Sequence, residues 1–387
     1  MKSIFNKTMA FLAIAGLTLG LAACNHDNND ETDDAAAAAV ATQFVDHTVA
    51  PTYTALASYT EQLAEQLTDL KASNSRTDAA VTAACQTFLA AREQWEKSEA
   101  FLFGAAADYG VDPHIDSWPL DEDAFQTLMN SPAMLEALDD EDGDAIAGER
   151  LGNALLGFHG IEYILFKNGN PKSASAISDN EWIYVAAVAG DLRNRCYQLE
   201  VAWLGDDAPE SHIEKLDDLE LAYTVSSSDL SYGDNLKNAG QAGSLYASRI
   251  AALMEMVQGC IDIADEVGTS KIGSAYHGED VTYIESPYSQ KSIIDFHNNI
   301  LSIQNSYMGG IEGQRDNSKS LHKYVNDLDA SLDAKVIAAI NLALEKIDAM
   351  PAPFVNNYSD PKNGEAVEAC SALSETLDEV VTALRNK

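Results

Sequence analysis

His159 and Glu162 stand three residues apart inside an apolar run, with Ala154, Leu155 and Leu156 before them and Tyr163, Ile164, Leu165 and Phe166 after. On a helix, positions i and i+3 share a face, with Cβ atoms ~5–6 Å apart. An imidazole and a carboxylate so placed can converge on one metal ion, on one substrate group, or on each other. Two ionisable groups in an apolar segment cost free energy unless something pairs with them, which marks the pair as a candidate site. A His–Glu hydrogen bond satisfied inside a helical core accounts for the spacing equally well.

Two further segments carry candidate chemistry. Arg92, Trp95 and Glu99 recur at i, i+3 and i+7, on one helix face. Either that face is functional, or Trp95 anchors a bundle while Arg92 pairs with Glu96 or Glu99 at its rim. The stretch 112–119 gathers Asp112, His114, Asp116 and Trp118 in a short irregular segment, the kind of loop that often carries binding residues; Trp118-Pro119 serves as well for a hydrophobic plug. Later, Ser286 to Lys291 precede a helix bearing Asp295 and His297, which Ser289 is suited to cap.

Several enzyme templates are missing. There is no HExxH, and Tyr163 follows Glu162 where HxxEH needs a second His. No GxSxG elbow, Walker loop or GxGxxG occurs in a credible context. Di-iron bundles pair two Glu-x-x-His motifs, whereas the order here is reversed and single. Imidazole and carboxylate suit iron as well as zinc, but a zinc site needs a third protein ligand that the sequence does not single out.

The elements that must hold these residues are helical by periodicity. The spacing predicts helices over 35–70, 78–103 from an Asp78 cap, a shorter one from Asp121, 144–166 around the His–Glu pair, and 178–204. A second set follows at 234–266, 291–308, 318–347 and 365–385. The fold class is all-α. Roughly 360 residues exceed one ordinary core, so two helical-bundle domains of about four helices each are expected, 35–207 and 234–387, joined by a linker at 208–233. The equal helix counts hint at a degenerate duplication.

Residues 1–23 read as a lipoprotein signal peptide, with Lys2 and Lys7 ahead of an apolar stretch too short to span a membrane. Leu21-Ala22-Ala23-Cys24 resembles a lipobox, making Cys24 the lipidated N-terminus of the mature chain and the anchor to the membrane. Residues 24–34 are acidic and read as a tether, a stretch that also resembles the export signal of surface lipoproteins. The expected location is the cell envelope, anchored to the outer membrane on its periplasmic or cell-surface face. A formal charge of −37 repels phosphate backbones and excludes nucleic acid as a partner. Cys85, Cys196, Cys260 and Cys370 form no CxxC pair; they allow three disulfide pairings or serve as buried thiols.

Three motifs in this order resemble the imelysin-like family, over roughly residues 40–385. G-x-H-x-x-E is matched by Gly157, His159 and Glu162; R-x-x-W-x-x-S/T-E by Arg92, Trp95, Ser98 and Glu99; I-D-x-W-P by Ile115, Asp116, Trp118 and Pro119. Ser286 to Tyr307 match a late S-x-Y-S-like turn and helix more loosely. The resemblance implies two four-helix bundles with the His–Glu motif near their interface, in an exported or lipid-anchored bacterial protein linked to iron uptake. It makes His159 and Glu162 candidate ligands of iron or zinc in an interdomain cleft, with Arg92, Trp95, Glu99, Asp116, Trp118 and Ser289 around them. The partner would be an iron or haem ligand or a protein of the uptake system. The family's peptidase label implies a rival, a metallopeptidase with Glu162 as ligand or base; a metal-free scaffold that binds a partner protein is the third reading. If the lipobox is used, Cys24→Ala removes incorporation of labelled palmitate in cells, and labelling that persists contradicts it.

Overall fold

In the computed structural model, residues 28–387 are described. The signal peptide, Cys24 and the first part of the tether lie outside the described residues.

The helix that carries Arg92 and Trp95, Asp78–Glu96, starts where Thr77 leaves extended backbone and its hydroxyl accepts from the Ala80 N–H. The cap is thus one residue earlier than expected, and the Asp78 carboxylate instead accepts from the Ala174 N–H. Val81, Ala84, Cys85, Phe88, Ala91 and Trp95 form its buried stripe. It packs on Ala50–Ala72, which packs in turn on Asp179–Leu204. That third helix is opened by a capping box between Ser178 and Glu181 and is buried around most of its girth.

Arg249–Glu266, Ala330–Asp348 and Pro361–Arg385 form a second packed group, with Ser292–Tyr307 lying between it and the Asp78–Glu96 helix. One contiguous apolar core runs from Ala37 to Leu384 through both groups. The fold is all-α: the sheet among the described residues is a hairpin of Phe166–Lys167 and Asn170–Pro171. Asn168 and Gly169, both at positive φ, make its two-residue turn. No described helix is long and apolar enough to cross a membrane.

Besides the expected 78–103 helix, which stops at Glu96 so that Glu99 falls in a separate 3-10 turn, Glu99–Phe101, four expected helices are interrupted. The first begins at Asn28, so residues 28–34 are helical where composition suggested a tether, and it widens into a π turn at Val45–Val49 before Ala50–Ala72. The 234–266 stretch splits into Tyr232–Lys237 and Arg249–Glu266, and 318–347 into Leu321–Leu328 and Ala330–Asp348. In each of these the second helix has its own cap: Ser248 accepts from Ala251, and Asp329 from Ser331 and Leu332. Apolar spacing carries across such breaks, so periodicity alone fuses the pieces. The four described cysteines are buried free thiols.

The fourth break bears on function. The expected 144–166 helix is Gly143–Arg150, a short 3-10 turn, and then Gly157–Leu165, which carries His159 and Glu162. Gly157 adopts φ +66°, and a Cβ there would lie 1.8 Å from the carbonyl oxygen of Ile115. The glycine therefore lets the segment holding Asp116 press against the start of the His159 helix. Gly157→Ala is expected to destabilise the protein by at least about 2 kcal/mol in urea unfolding; a change under about 0.5 kcal/mol would contradict this close approach.

Candidate functional site

Arg92 sits at the centre of the site, 2% exposed. Its guanidinium pairs with Glu96 one turn on at 2.5 Å, with Asp116 and with Glu285, and its Nε lies 4.0 Å from Asp295. The expectation that Arg92 and Glu96 meet at a bundle rim is corrected: both are buried. Trp95 is an anchor that also holds a carboxylate, stacking on Phe158 while its Nε1 donates to Asp116 Oδ2 at 2.7 Å. Asp116 caps a short helix, Val111–Ile115, so the segment expected to be irregular is helical up to this buried carboxylate. Trp118 covers the site, its ring 5.8 Å from the His159 ring and 4.9 Å from Tyr283.

His159 and Glu162 do meet, with Nδ1 to Oε2 at 3.3 Å. The other ring nitrogen, Nε2, faces Asp116 Oδ1 at 3.1 Å, an ion-pair contact without an aligned hydrogen bond. The second Glu162 oxygen accepts from the Ser289 N–H at 2.7 Å. Ser289 is therefore not a helix cap. The helix starts at Ser292 after Lys291, and Ser289 instead holds Glu162 through its backbone.

Two members of the cluster were not singled out from sequence, Lys271 and Glu285; Asp295 was noted only as part of the helix after Lys291. Lys271 and Glu285 fall in a segment, 268–287, whose polarity reads as a solvated loop, yet both are buried. Lys271 rides on a π turn, Val267–Ile272, and its Nζ lies 3.2 Å from Glu285 and 3.8 Å from both Glu96 and Glu99. Ser286 donates to Asp295 and Asn299 to Glu96. Beside the cluster is a cavity of about 230 Å³, lined by Glu99, Asp112, Asp116, Trp118, Glu266 and Lys271 among others.

Charge in this interior is unbalanced. The carboxylates of Glu96, Glu99, Asp116, Glu162, Glu285 and Asp295 surround only Arg92, Lys271 and His159. Burial alone would raise Asp116, but Arg92 and His159 outweigh it and hold this carboxyl well below its usual range. Burial would lower His159, yet Asp116 and Glu162 overcome it and raise the imidazole to about 9. Burial, above all, pushes Glu96 and Glu99 well above the carboxylate range, and takes Asp112 and Asp295 to about 7.

The donor set fits a cation. Ligand atoms of Asp116, His159 and Glu285 lie within 4.8 Å of one another, a spread that one ion with bonds of ~2.0–2.6 Å can bridge. His159 Nε2 and Glu285 Oε2 are buried and make no aligned hydrogen bond, an arrangement unusual for buried polar atoms; their nearest charged partners are the Asp116 carboxylate at 3.1 Å and the Lys271 ammonium at 3.2 Å. A second trio, Glu96, Glu99 and Asp116, shares Asp116 with the first.

Scaffold and site together define the class: an all-helical protein whose two helix groups close on a buried, acid-rich His–Asp–Glu cluster. The chain belongs to the imelysin family, whose model matches residues 49–380. It is 28% identical over 349 residues to iron-regulated protein A of Synechococcus elongatus, covering 88% of this chain and 85% of that one. A crystal structure of an iron-regulated protein A precursor from Parabacteroides distasonis superposes with a TM-score of 0.76 at 28% identity, covering 91% of this chain and 95% of the other. An imelysin-like protein from Psychrobacter arcticum shares the fold at 12% identity, with a TM-score of 0.64 over 91% and 96% of the two chains.

Two stability predictions follow from the charge excess. Because Asp112, Asp295 and His159 all keep protons to higher pH than in the unfolded chain, the folded state binds more protons, and this contribution is lost as pH rises through about 7 and about 9. Unfolding free energy of metal-free protein should fall by on the order of 5 kcal/mol between pH 6 and pH 9; a flat or rising profile contradicts the assignment. Arg92→Met leaves buried carboxylates without their cation and should cost about 3–5 kcal/mol at pH 8, and less at pH 5, where they can take up protons. Equal loss at both pH values would show that the guanidinium acts by packing alone.

Proposed function

We propose that this protein is a lipid-anchored extracytoplasmic binding protein of iron-linked uptake, not an enzyme, and that its site takes one hard cation, iron foremost. The observation that carries the reading is that Asp116, His159 and Glu285 each bring a ligand atom within 4.8 Å of the others, while Nε2 and Oε2, though in charged contact with Asp116 and Lys271, make no aligned hydrogen bond. Those three residues would hold the ion, which supplies the positive charge that the surplus carboxylates lack. Glu162, a candidate ligand by its motif, serves instead to fix the imidazole through Nδ1, the usual duty of a carboxylate behind a metal-bound His. The donor set of two carboxylates and one imidazole suits iron and zinc alike; iron is put first because relatives of this chain carry the name iron-regulated protein A.

Size argues for an ion rather than haem. The adjoining cavity, about 230 Å³, falls below the ~300–1,000 Å³ of small-molecule pockets. The metallopeptidase alternative needs a base beside a metal-bound water, but both Glu162 oxygens are engaged, one by His159 and one by the Ser289 N–H. We read the two helix groups as the two expected bundles, with the site where they meet and Cys24 tying the whole to the membrane.

Purified protein supplied with micromolar ferrous or ferric iron should retain about one equivalent by elemental analysis, and His159→Ala and Glu285→Gln should each lose it. The ion must displace the Nε2 proton, so affinity should rise with pH toward about 9. No bound metal in the wild type would sink the proposal. Peptide cleavage that disappears with His159→Ala would favour the peptidase.

A further inference from the structure

The surplus of acid in this site is partly met by a cation of the chain itself. Lys271 is buried at 2% exposure, and its ammonium faces both trios at once. It reaches Glu285, one of the three residues assigned to the metal, at 3.2 Å, and Glu96 and Glu99, two of the second trio, at 3.8 Å. The Trp118 ring lies 5.3 Å from it, adding a cation–π contact. A buried lysine is ordinarily paired with one carboxylate; this one is shared among three that are themselves short of positive charge.

Two features of its setting would let that ammonium move. It is carried on the π turn Val267–Ile272, a widened turn of a kind frequent at functional sites. It also borders the 230 Å³ cavity, whose walls hold Asp112 and Glu266, and its flexible four-carbon stem allows the charge to move. Glu266 is exposed and Asp112 partly so, so a path from the cluster to solvent is lined with carboxylates that can receive it.

We infer that Lys271 is a built-in competitor for the cation site: its ammonium stands in the field of Glu285, Glu96 and Glu99, and a metal ion enters as that ammonium moves out to Asp112 and Glu266. The inference rests on the metal-binding reading and adds what sets the affinity. A tethered charge of this kind would keep weakly attracted cations out while yielding to a di- or trivalent ion, whose higher charge gains more from the same carboxylates.

The test is calorimetric titration of the purified protein with Mn²⁺ at pH 7, a hard ion that accepts the same nitrogen and oxygen donors. Lys271→Gln should bind at least tenfold more tightly than wild type, a conservative figure for removing a unit charge that pairs with Glu285, and should show a larger rise in Tm on adding Mn²⁺. Lys271→Arg, which keeps the charge, should bind no more tightly than wild type. Wild-type binding with no gain in Lys271→Gln overturns the inference and leaves the metal reading intact; no Mn²⁺ binding by any variant overturns both. If Lys271→Gln does not fold, the double variant Asp112→Asn/Glu266→Gln decides: it should bind at least threefold more weakly because the displaced ammonium has lost its receiving groups, and unchanged affinity overturns the inference.

Discussion

One guanidinium, that of Arg92, holds together carboxylates from three separate parts of the chain. Glu96 lies on its own helix, Asp116 ends the short helix before Trp118, and Glu285 and Asp295 come from the second half. Removing any of these acids from water is unfavourable by itself, and only a buried cation within a few ångströms offsets it. The placement of Arg92 thus fixes where Asp116 and Glu285 can stand, and they in turn fix what His159 Nε2 faces. The apolar frame serves the same end: Phe158 lies under the guanidinium at 5.1 Å and against Trp95, next in sequence to His159.

The second half contributes a strap rather than a loop. Across residues 285–289 the chain presents Glu285 to Arg92 and Lys271, Ser286 to Asp295, and the Ser289 amide to Glu162. Ser286 has positive φ, which turns the backbone so that consecutive groups point inward. The site therefore exists only when both helix groups are in place. A common core through both groups makes that assembly cooperative, and it leaves more acid than base in a place that water scarcely reaches. A site in that condition responds to protons and to cations alike.

How much of this was legible in the sequence follows from where each residue sits. His159, Glu162, Arg92 and Trp95 stood out because charge or indole polarity interrupts an apolar helical stripe, an anomaly a single sequence displays. Asp116 and Trp118 were visible as dense chemistry in a short segment. Lys271 and Glu285 were not, because charged residues between helices look like ordinary solvated loop until the fold closes over them. Ser289 was misread for the same reason: a serine ahead of a helix suggests a side-chain cap, whereas here the useful group is its amide. The helix class was plain from periodicity, but the breaks at Gly157, Ser248 and Asp329 were hidden, since apolar spacing continues through a turn that a cap or a positive φ creates. The further donor groups that the sequence did not single out beside His159 are Asp116 and Glu285, brought within 4.8 Å of it by tertiary structure alone.

The most direct test of the central claim is anomalous diffraction from crystals of the full-length soluble protein grown with iron, collected on both sides of the iron absorption edge. A single strong peak bonded to His159 Nε2 and to carboxylate oxygens of Asp116 and Glu285, with Glu162 still on Nδ1, is the predicted result. A peak elsewhere, or none with the Lys271 ammonium still at Glu285, would contradict the account.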